Sequence, residues 1–149
     1  MTITVDFATE DDLSAMADLL YELFTLESDF VPEREKQIAG LKLILDTPAI
    51  GQLFVLRVDD EVAGMANALI TVSTAQGTRV LLLEDVIVSK RFRGGGLGRR
   101  LVEHVCAWAR SQGMRRVTLL ADKDNASALR FYERLGFGSS AMLVRRLPL

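Results

Sequence analysis

Two stretches of this sequence combine residue types that can bind an anion or move a proton. The first places four glycines among arginines, in the run Arg93-Gly94-Gly95-Gly96-Leu97-Gly98-Arg99-Arg100. Glycines let successive backbone N–H groups turn toward one point, and the amphipathic helix predicted from residue 98 onward adds its positive N-terminal end. The arginines add formal positive charge, so the loop favours a diphosphate ligand.

The loop fits neither of two well-known phosphate-binding patterns. A P-loop ends in Gly-Lys-Ser/Thr, whereas Gly98 is followed by Arg99 and Arg100. The dinucleotide pattern G-x-G-x-x-G, started at Gly94, requires a glycine at position 99. The pattern that remains is R-x-x-G-x-G, read as Arg93, Gly96 and Gly98.

The second stretch, residues 124–137, reads Asp-Asn-Ala-Ser-Ala-Leu-Arg-Phe-Tyr-Glu-Arg-Leu-Gly-Phe. In this order and at this spacing, the two stretches resemble the GNAT superfamily of acyl-CoA-dependent N-acyltransferases. The pyrophosphate loop of that family has the pattern R-x-x-G-x-G between the fourth strand and the third helix, and its later motif is N-x-x-A-x-x-F-Y-x-x-x-G-F. The specific resemblance covers residues 80–138, and the N-terminal third matches only in its pattern of elements.

The resemblance implies that acetyl-CoA is the cosubstrate. In the family, the strand before the glycine loop and the next strand splay apart, and the pantetheine arm inserts between them. Backbone groups of Val86, Ile87 and Val88 would bond the pantetheine amides, and the Val86 N–H would stabilise the developing oxyanion. The residues expected to hold the pyrophosphate are Arg93, Gly94, Gly95, Gly96, Leu97, Gly98 and Arg99. Asn125 would join the cofactor or order the strand end, and as a helix N-cap it would look identical.

Glu84 and Asp85 interrupt the apolar run of residues 80–88 and are the candidates for a general base. A primary amine has a pKa near 10.4, so it must lose a proton before it attacks a thioester. Strand alternation predicts that the two acids point to opposite faces unless a bulge intervenes, and we favour Glu84 as the base. Alternatively, one acid caps a bulge or pairs with an arginine. The pair also resembles that of polyamine acetyltransferases, in which the glutamate relays the amine proton through water and the aspartate helps to recognise the cation.

Tyr132 matches the general-acid tyrosine of the family, which protonates the departing CoA thiolate. The alternative interpretation is an aromatic core residue on the apolar helix face that also carries Ala128, Leu129 and Leu135. No group of His, Cys, Asp and Glu residues has the spacing of metal ligands, so we expect no bound metal.

The acceptor amine is expected to bind near residues 21–35, where the resemblance is poorest. This region contains the acids Glu22, Glu27, Asp29, Glu33 and Glu35. They would steer a cationic amine or polyamine to the site, or they are simply solvated helix faces. Tyr21, Phe24 and Phe30 would line an aromatic wall for an ammonium group, or they pack in the core. The acceptor can be the amine of a small molecule or of a peptide.

Two other function classes share these motifs. A non-catalytic CoA-binding or sensing module would keep the glycine loop but lose the acid and the base, whereas Tyr132, Glu84 and Asp85 are all present. A transferase that acetylates aminoacyl-tRNA needs a basic surface facing the RNA. The formal net charge of −2 argues against that surface, and we expect no nucleic-acid partner.

The composition favours a compact enzyme domain. A chain of 149 residues with 49% hydrophobic content suits one domain, and we expect a single N-acetyltransferase domain over residues 1–149. The single cysteine, Cys106, excludes an internal disulfide and is compatible with the reducing cytoplasm, where we expect the protein. No signal pattern or apolar run of membrane-spanning length is present, so no membrane partner is expected.

The elements that must position these residues alternate along the chain. Strands are predicted at 2–8, 52–59, 62–74, 78–88, 116–121 and 142–147, and helices at 11–26, 32–46, 98–112 and 126–135. Short polar connections make the middle strands an antiparallel meander. The fold class is therefore α/β, with a mixed, mostly antiparallel sheet of six to seven strands and four flanking helices, which by resemblance splays between strands 4 and 5. The apolar C-terminal strand can close this sheet or pair across a homodimer.

Overall fold

The computed structural model describes residues 1–27 and 31–149, which form a central sheet with helices on both faces. The strands are β1 (Ile3–Phe7), β2 (Gly51–Val58), β3 (Glu61–Ser73), β4 (Thr78–Val88) and β5 (Val117–Leu119). The α-helices of the described residues are α1 (Leu13–Leu26), α2 (Arg34–Leu45), α3 (Leu97–Ser111) and α4 (Ala126–Arg134). Two 3-10 turns of this part of the chain lie at Glu10–Asp12 and Lys90–Phe92. Every predicted element except the last strand begins and ends close to its expected residues.

The strand order β1-β2-β3-β4-β5 follows the chain. Pairing is antiparallel from β1 to β4 and parallel between β4 and β5. The turn between β2 and β3 is Asp59-Asp60, whose φ angles of 48° and 69° are those that a two-residue type I′ hairpin requires. The parallel pair is joined through α3, because parallel strands need a crossover connection. The predicted meander and mixed sheet are therefore confirmed.

Each face of the sheet has its own apolar cluster. Helix α3 covers the face that presents Phe54, Leu81 and Leu83, whereas α1 and α2 cover the face that presents Leu53 and Val55. Strand β2 is therefore buried on both sides, which explains why its sequence is an apolar run without alternation. Within residues 1–27 and 31–149, no helix has the length and apolar character needed to cross a bilayer.

The prediction of a strand at residues 142–147 is wrong. Residues 138–149 form no strand, and the sheet of the described chain has five strands rather than six or seven. Three consecutive apolar residues followed by Arg145 and Arg146 do not alternate, so this segment has no single face to bury against the core. Met142 and Leu147 are accordingly 86% and 82% exposed. Pairing of this segment across a homodimer stays a prediction.

Candidate active site

Pairing between β4 and β5 stops where the family resemblance predicts a cleft, and we call the space beside the unpaired end of β4 the gap. Residues 81–83 of β4 pair with all of β5, and β4 then continues to Val88. On the other side, Ser89 N donates to Ala63 O of β3 (2.7 Å). Because backbone groups alternate in direction along a strand, those of Val86 and Val88 point into the gap and those of Ile87 point to β3. Pairing thus stops where the splay is expected. Of Val86, Ile87 and Val88, the first and the last are the residues whose main-chain groups point to that side of β4.

A β-bulge shapes the end of β4. Asn67 lies opposite Glu84 and Met65 lies opposite Ile87, so Asp85 and Val86 together face the single residue between those two on β3. Asp85 has a φ of 54°, in the left-handed region. This conformation is uncommon for a residue with a side chain, but aspartate tolerates it better than most. The extra residue shifts the alternation of the strand by one position.

The bulge is the exception that the predicted alternation allows, so Glu84 and Asp85 need not point to opposite faces. Before the bulge, Leu81 and Leu83 pack on the α3 side, whereas after it Val86 and Val88 do so. Asp85 instead lines a cavity on the α1 and α2 side, as Asn67 does. Glu84 is the cross-strand partner of Asn67 and therefore shares that face. Both acids lie on the side of the sheet that α1 and α2 cover.

The surroundings of Asp85 raise its pKa clearly above that of an ordinary aspartate. Burial, the neighbouring charge of Glu84 and the charge of Glu27 raise its pKa, whereas a hydrogen bond from Asn67 lowers it, and the resulting pKa is about 6. Asn67 Nδ2 donates that bond to Asp85 Oδ2 at 2.5 Å. A carboxylate with this pKa is ionised at neutral pH and still accepts a proton more readily than an exposed aspartate.

The cavity beside Asp85, which we call the α1–α2 cavity, has a volume of about 420 Å³. Its walls come from α1, α2 and the segment just before α2, and its sheet end is formed by Asn67 and Asp85. It lies in the part of the molecule where we expect the acceptor. Phe24 lines it and also packs against the buried apolar cluster, so both alternatives given for this residue are present. Tyr21, by contrast, is 61% exposed. Asp29 and Phe30 lie outside the described residues.

The glycine loop turns into α3 through two left-handed residues. Gly94 and Gly96 have φ angles of 94° and 75°, and a Cβ at either position would meet no neighbouring atom, so conformation rather than space requires glycine. Gly96 is the N-cap of α3. The first N–H groups of a helix have no acceptor within it. The loop therefore presents main-chain donors and the positive end of α3 beside the carboxyl end of β4.

Arg93 and Arg99 are both engaged in ion pairs. Arg93 Nη2 lies 2.9 Å from Glu22 Oε1 on α1, and Arg93 Nε donates to Val88 O at 2.9 Å. The same Glu22 oxygen accepts from Lys90 N at 2.8 Å. Arg99 pairs with Glu103 one turn later at 2.7 Å. Glu22, which the sequence groups with the acceptor region, thus holds the start of the glycine loop against α1.

Helix α4 brings Tyr132 to the α3 side of the gap, where it packs on the same cluster as Val86 and Val88. Its burial, with a further contribution from the charge of Glu27, raises the pKa of Tyr132 to about 12. The adjacent Phe131 contacts the glycine loop closely, since a Cβ on Gly98 would lie 3.2 Å from the Phe131 ring.

Asn125 is the N-cap of α4. Its Oδ1 accepts a hydrogen bond from Ala128 N at 3.0 Å, which satisfies one of the free N–H groups at the start of the helix. The capping role that the sequence allows is therefore present, and the cofactor role of Asn125 stays a prediction.

Sequence reasoning missed two residues of this site. Asn67 hydrogen-bonds the buried acid, and Gln37 lines the cavity. Glu27, which the sequence groups with the acceptor region, acts electrostatically on both Asp85 and Tyr132. A signal existed for Asn67, because it is the one amide in the apolar run of residues 62–70. Gln37 carries no such signal, since polar residues are ordinary on helices.

Comparisons with known proteins agree on one family. Residues 14–137 match the sequence profile of the Acetyltransferase (GNAT) family. Glucosamine 6-phosphate N-acetyltransferase of Trypanosoma brucei brucei is 30% identical over 130 residues, which cover 86% of this chain and 84% of that protein. An uncharacterised N-acetyltransferase of Methanocaldococcus jannaschii is 27% identical over 138 residues, and the match covers 91% of this chain but only 61% of the archaeal protein.

The fold comparison extends over the whole chain. The crystal structure of a possible acetyltransferase from Clostridium difficile 630 superposes with a TM-score of 0.89, covering 100% of this chain and 99% of that one. The two sequences are 21% identical, so this likeness concerns the fold.

Proposed function

This chain belongs to the Acetyltransferase (GNAT) family, and from that premise we propose that it transfers the acetyl group of acetyl-CoA to a primary amine by direct attack in a ternary complex. The observation that carries the proposal is the bulge at Asp85. It places a carboxylate of raised pKa in the α1–α2 cavity, next in sequence to the Val86 N–H that points into the gap between β4 and β5. An amine in the cavity and a thioester in the gap would meet at this point.

The residues around the gap fit an acyl-CoA molecule. The main-chain donors of the glycine loop and the N-terminus of α3 suit a diphosphate, and the main-chain groups of Val86 and Val88 suit the amides of a pantetheine arm. Because Arg93 and Arg99 already pair with glutamates, we assign the diphosphate chiefly to the main chain of the loop. Acetyl-CoA supplies the acyl group already activated as a thioester.

We assign the role of general base to Asp85 rather than to Glu84. Proton transfer from an alkylammonium of pKa near 10.4 to a carboxyl of pKa about 6 is uphill by about 6 kcal/mol. The same transfer to an aspartate of pKa 3.8 would be uphill by about 9 kcal/mol. Burial of Asp85 therefore removes about a third of the cost of deprotonating the nucleophile. The nearby charge of Glu84 also raises the pKa of Asp85, and this is the role that we assign to Glu84.

Val86 and Tyr132 would act on the two charges that develop after attack. The Val86 N–H in the gap is placed to donate to the carbonyl oxygen of the acetyl group as negative charge grows on it. The Tyr132 hydroxyl has a pKa of about 12 and the CoA thiol one near 8.5, so complete proton transfer to the thiolate would be uphill by about 5 kcal/mol. We therefore assign Tyr132 the role of hydrogen-bond donor to the departing sulfur.

The test is release of free CoA thiol with a panel of primary amines, using Asp85→Asn and Glu84→Gln. Removing a general base lowers kcat by about 10²- to 10⁴-fold, and we expect this loss for Asp85→Asn. Glu84→Gln should cost less than about tenfold, since it changes only the field at Asp85. Binding of acetyl-CoA, measured by calorimetry, should be the same in both variants. The opposite ranking would make Glu84 the base, and acetyl-CoA binding without consumption of any amine would refute acetyl transfer to an amine.

A further inference from the structure

The wall of the α1–α2 cavity is mostly hydrocarbon. Leu20 and Phe24 come from α1, Val31 precedes α2, and Leu41 and Ile44 come from α2. Leu20 and Leu41 belong to the buried cluster that holds both helices to the sheet, so these walls are fixed rather than loose. A ligand in this cavity exchanges water for apolar side chains over most of its surface, which favours a hydrocarbon body.

The charges on the cavity wall are few and mostly neutralised. Glu33 and Lys36 pair with each other at 3.1 Å and are largely exposed, so they form a neutral pair at the rim. Among the described lining residues, Asp85 is the remaining ionisable group. One ammonium group of a ligand can pair with the Asp85 carboxylate. The charges of Glu84 and Glu27 act on Asp85, at the sheet end of the cavity. A second ammonium away from Asp85, or a phosphate, would lie against the apolar wall, where no described lining residue carries an unpaired charge.

Two buried amide atoms at the cavity have no hydrogen-bond partner within the described chain. They are Nε2 of Gln37, whose residue is 8% exposed, and Oδ1 of Asn67, whose residue is 3% exposed. Asn67 is held by its bond to Asp85. The terminal torsion of a glutamine is broad, so the Gln37 amide can turn toward a ligand without giving up a bond of its Nε2 group. It can therefore meet a single oxygen on the ligand.

We propose that the α1–α2 cavity selects an acetyl acceptor with one primary ammonium on a hydrocarbon chain or ring, with at most one further oxygen, and that it rejects polyamines and phosphorylated amino sugars. The proposal deepens the acetyltransferase function given above and rests on it. The ammonium contacts Asp85, the hydrocarbon lies between α1 and α2, and the oxygen, where the acceptor has one, accepts from Gln37. Of the described acids of residues 21–35, Glu22 pairs with Arg93 and Glu33 pairs with Lys36. Glu27 and Glu35 do not line the cavity, and the charge of Glu27 acts at its sheet end, on Asp85.

The sharpest test compares two amines of the same size and shape. Hexylamine and 1,5-diaminopentane differ only in a terminal methyl group that becomes a second ammonium. Both are titrated calorimetrically into the protein saturated with CoA, and both are assayed for thiol release with acetyl-CoA. We expect hexylamine to bind and to react at least about tenfold better, since a second ammonium in the apolar wall loses its hydration without gaining a partner. Glucosamine 6-phosphate should bind still more weakly than the diamine.

Gly40 offers a matched pair of variants. It lines the cavity on α2, and a Cβ there would meet no atom within 4 Å, so a side chain can be added in open space. Gly40→Asp adds a carboxylate to the apolar wall, and Gly40→Asn adds the same shape without the charge. We expect Gly40→Asp to raise the affinity for 1,5-diaminopentane relative to hexylamine by at least about tenfold, and Gly40→Asn to leave the preference for hexylamine in place.

The outcomes separate this inference from the function on which it rests. Selective binding of hexylamine, with reversal in Gly40→Asp alone, supports the proposed selectivity even if no acetyl group is transferred, in which case the transferase function fails by itself. Turnover that favours the diamine or the sugar phosphate overturns the selectivity and leaves the transferase function standing. Equal binding of the two amines, or no binding of either, also overturns the inference.

Discussion

Replacing Asp85 by asparagine should stabilise the fold while it removes the proposed base. In the folded chain the pKa of Asp85 is raised from 3.8 to about 6, chiefly by burial. Between these two pH values the unfolded chain binds fewer protons than the folded chain, so stability falls as pH rises. The ionised carboxylate therefore costs about 3 kcal/mol of folding free energy above pH 7, and about 0.5 kcal/mol at pH 4. The asparagine side chain of the variant would keep an oxygen for the hydrogen bond from Asn67 but would carry no charge.

The assay is urea unfolding of the wild type and of Asp85→Asn at pH 4, 6 and 8. The variant should gain stability relative to the wild type as pH rises, and the gain should level off above pH 7. Glu84→Gln is the comparison variant, because it removes an adjacent carboxyl in the same isosteric way. It should show a smaller gain of the same sign, since the Glu84 charge is a lesser cause of the raised pKa of Asp85 than burial. If the difference in unfolding free energy between Asp85→Asn and the wild type is the same at pH 4 and pH 8, or smaller at pH 8, then burial does not raise the pKa of Asp85.

Three further predictions concern activity. The acidic limb of the pH profile of kcat/KM should lie near pH 6 and should move to lower pH in Glu84→Gln, because the Glu84 charge raises the pKa of Asp85; an unmoved limb would show that another group titrates there. Tyr132→Phe should lower kcat by about 10- to 100-fold with unchanged calorimetric affinity for acetyl-CoA, since the hydroxyl assists only the departing sulfur; an equal loss of affinity would instead give Tyr132 a binding role. Gly98→Ala places a Cβ 3.2 Å from the Phe131 ring and should reduce kcat/KM for acetyl-CoA, whereas thermal unfolding should show a change in stability below about 1 kcal/mol; wild-type kinetics would mean that the Phe131 contact has no effect on the site.

Local sequence signals predict the parts of this molecule that depend on local conformation. The glycine loop and the N-cap at Asn125 follow from residue types that only a few backbone conformations use, and both form where expected. The strands of the meander follow from apolar runs between polar turns. The gap between β4 and β5 is expected only by resemblance to a family, because no pattern in residues 81–88 indicates where the pairing of β4 with β5 ends.

Other parts depend on contacts between distant residues and cannot be predicted from local patterns. The bulge at Asp85 is a property of the register between β3 and β4, and an acid in an apolar strand is compatible with either a regular or a bulged pairing. The cavity wall depends on how α1 and α2 pack together. The strand predicted at residues 142–147 is an error of the opposite kind. Apolar content alone predicts a strand there, but the residues do not alternate and the strand does not form.

Asp85 is the extra residue of the bulge, and so the sheet does not need it. Leu83 and Val86 both face α3, with Glu84 between them on the opposite face, and this is the alternation that a regular strand would have if Asp85 were absent. Loss of one codon would therefore delete the acid and leave the other side chains of β4 on the faces they now occupy. In evolutionary terms, the chain can gain or lose its proposed base by a single in-frame insertion or deletion without repacking either core.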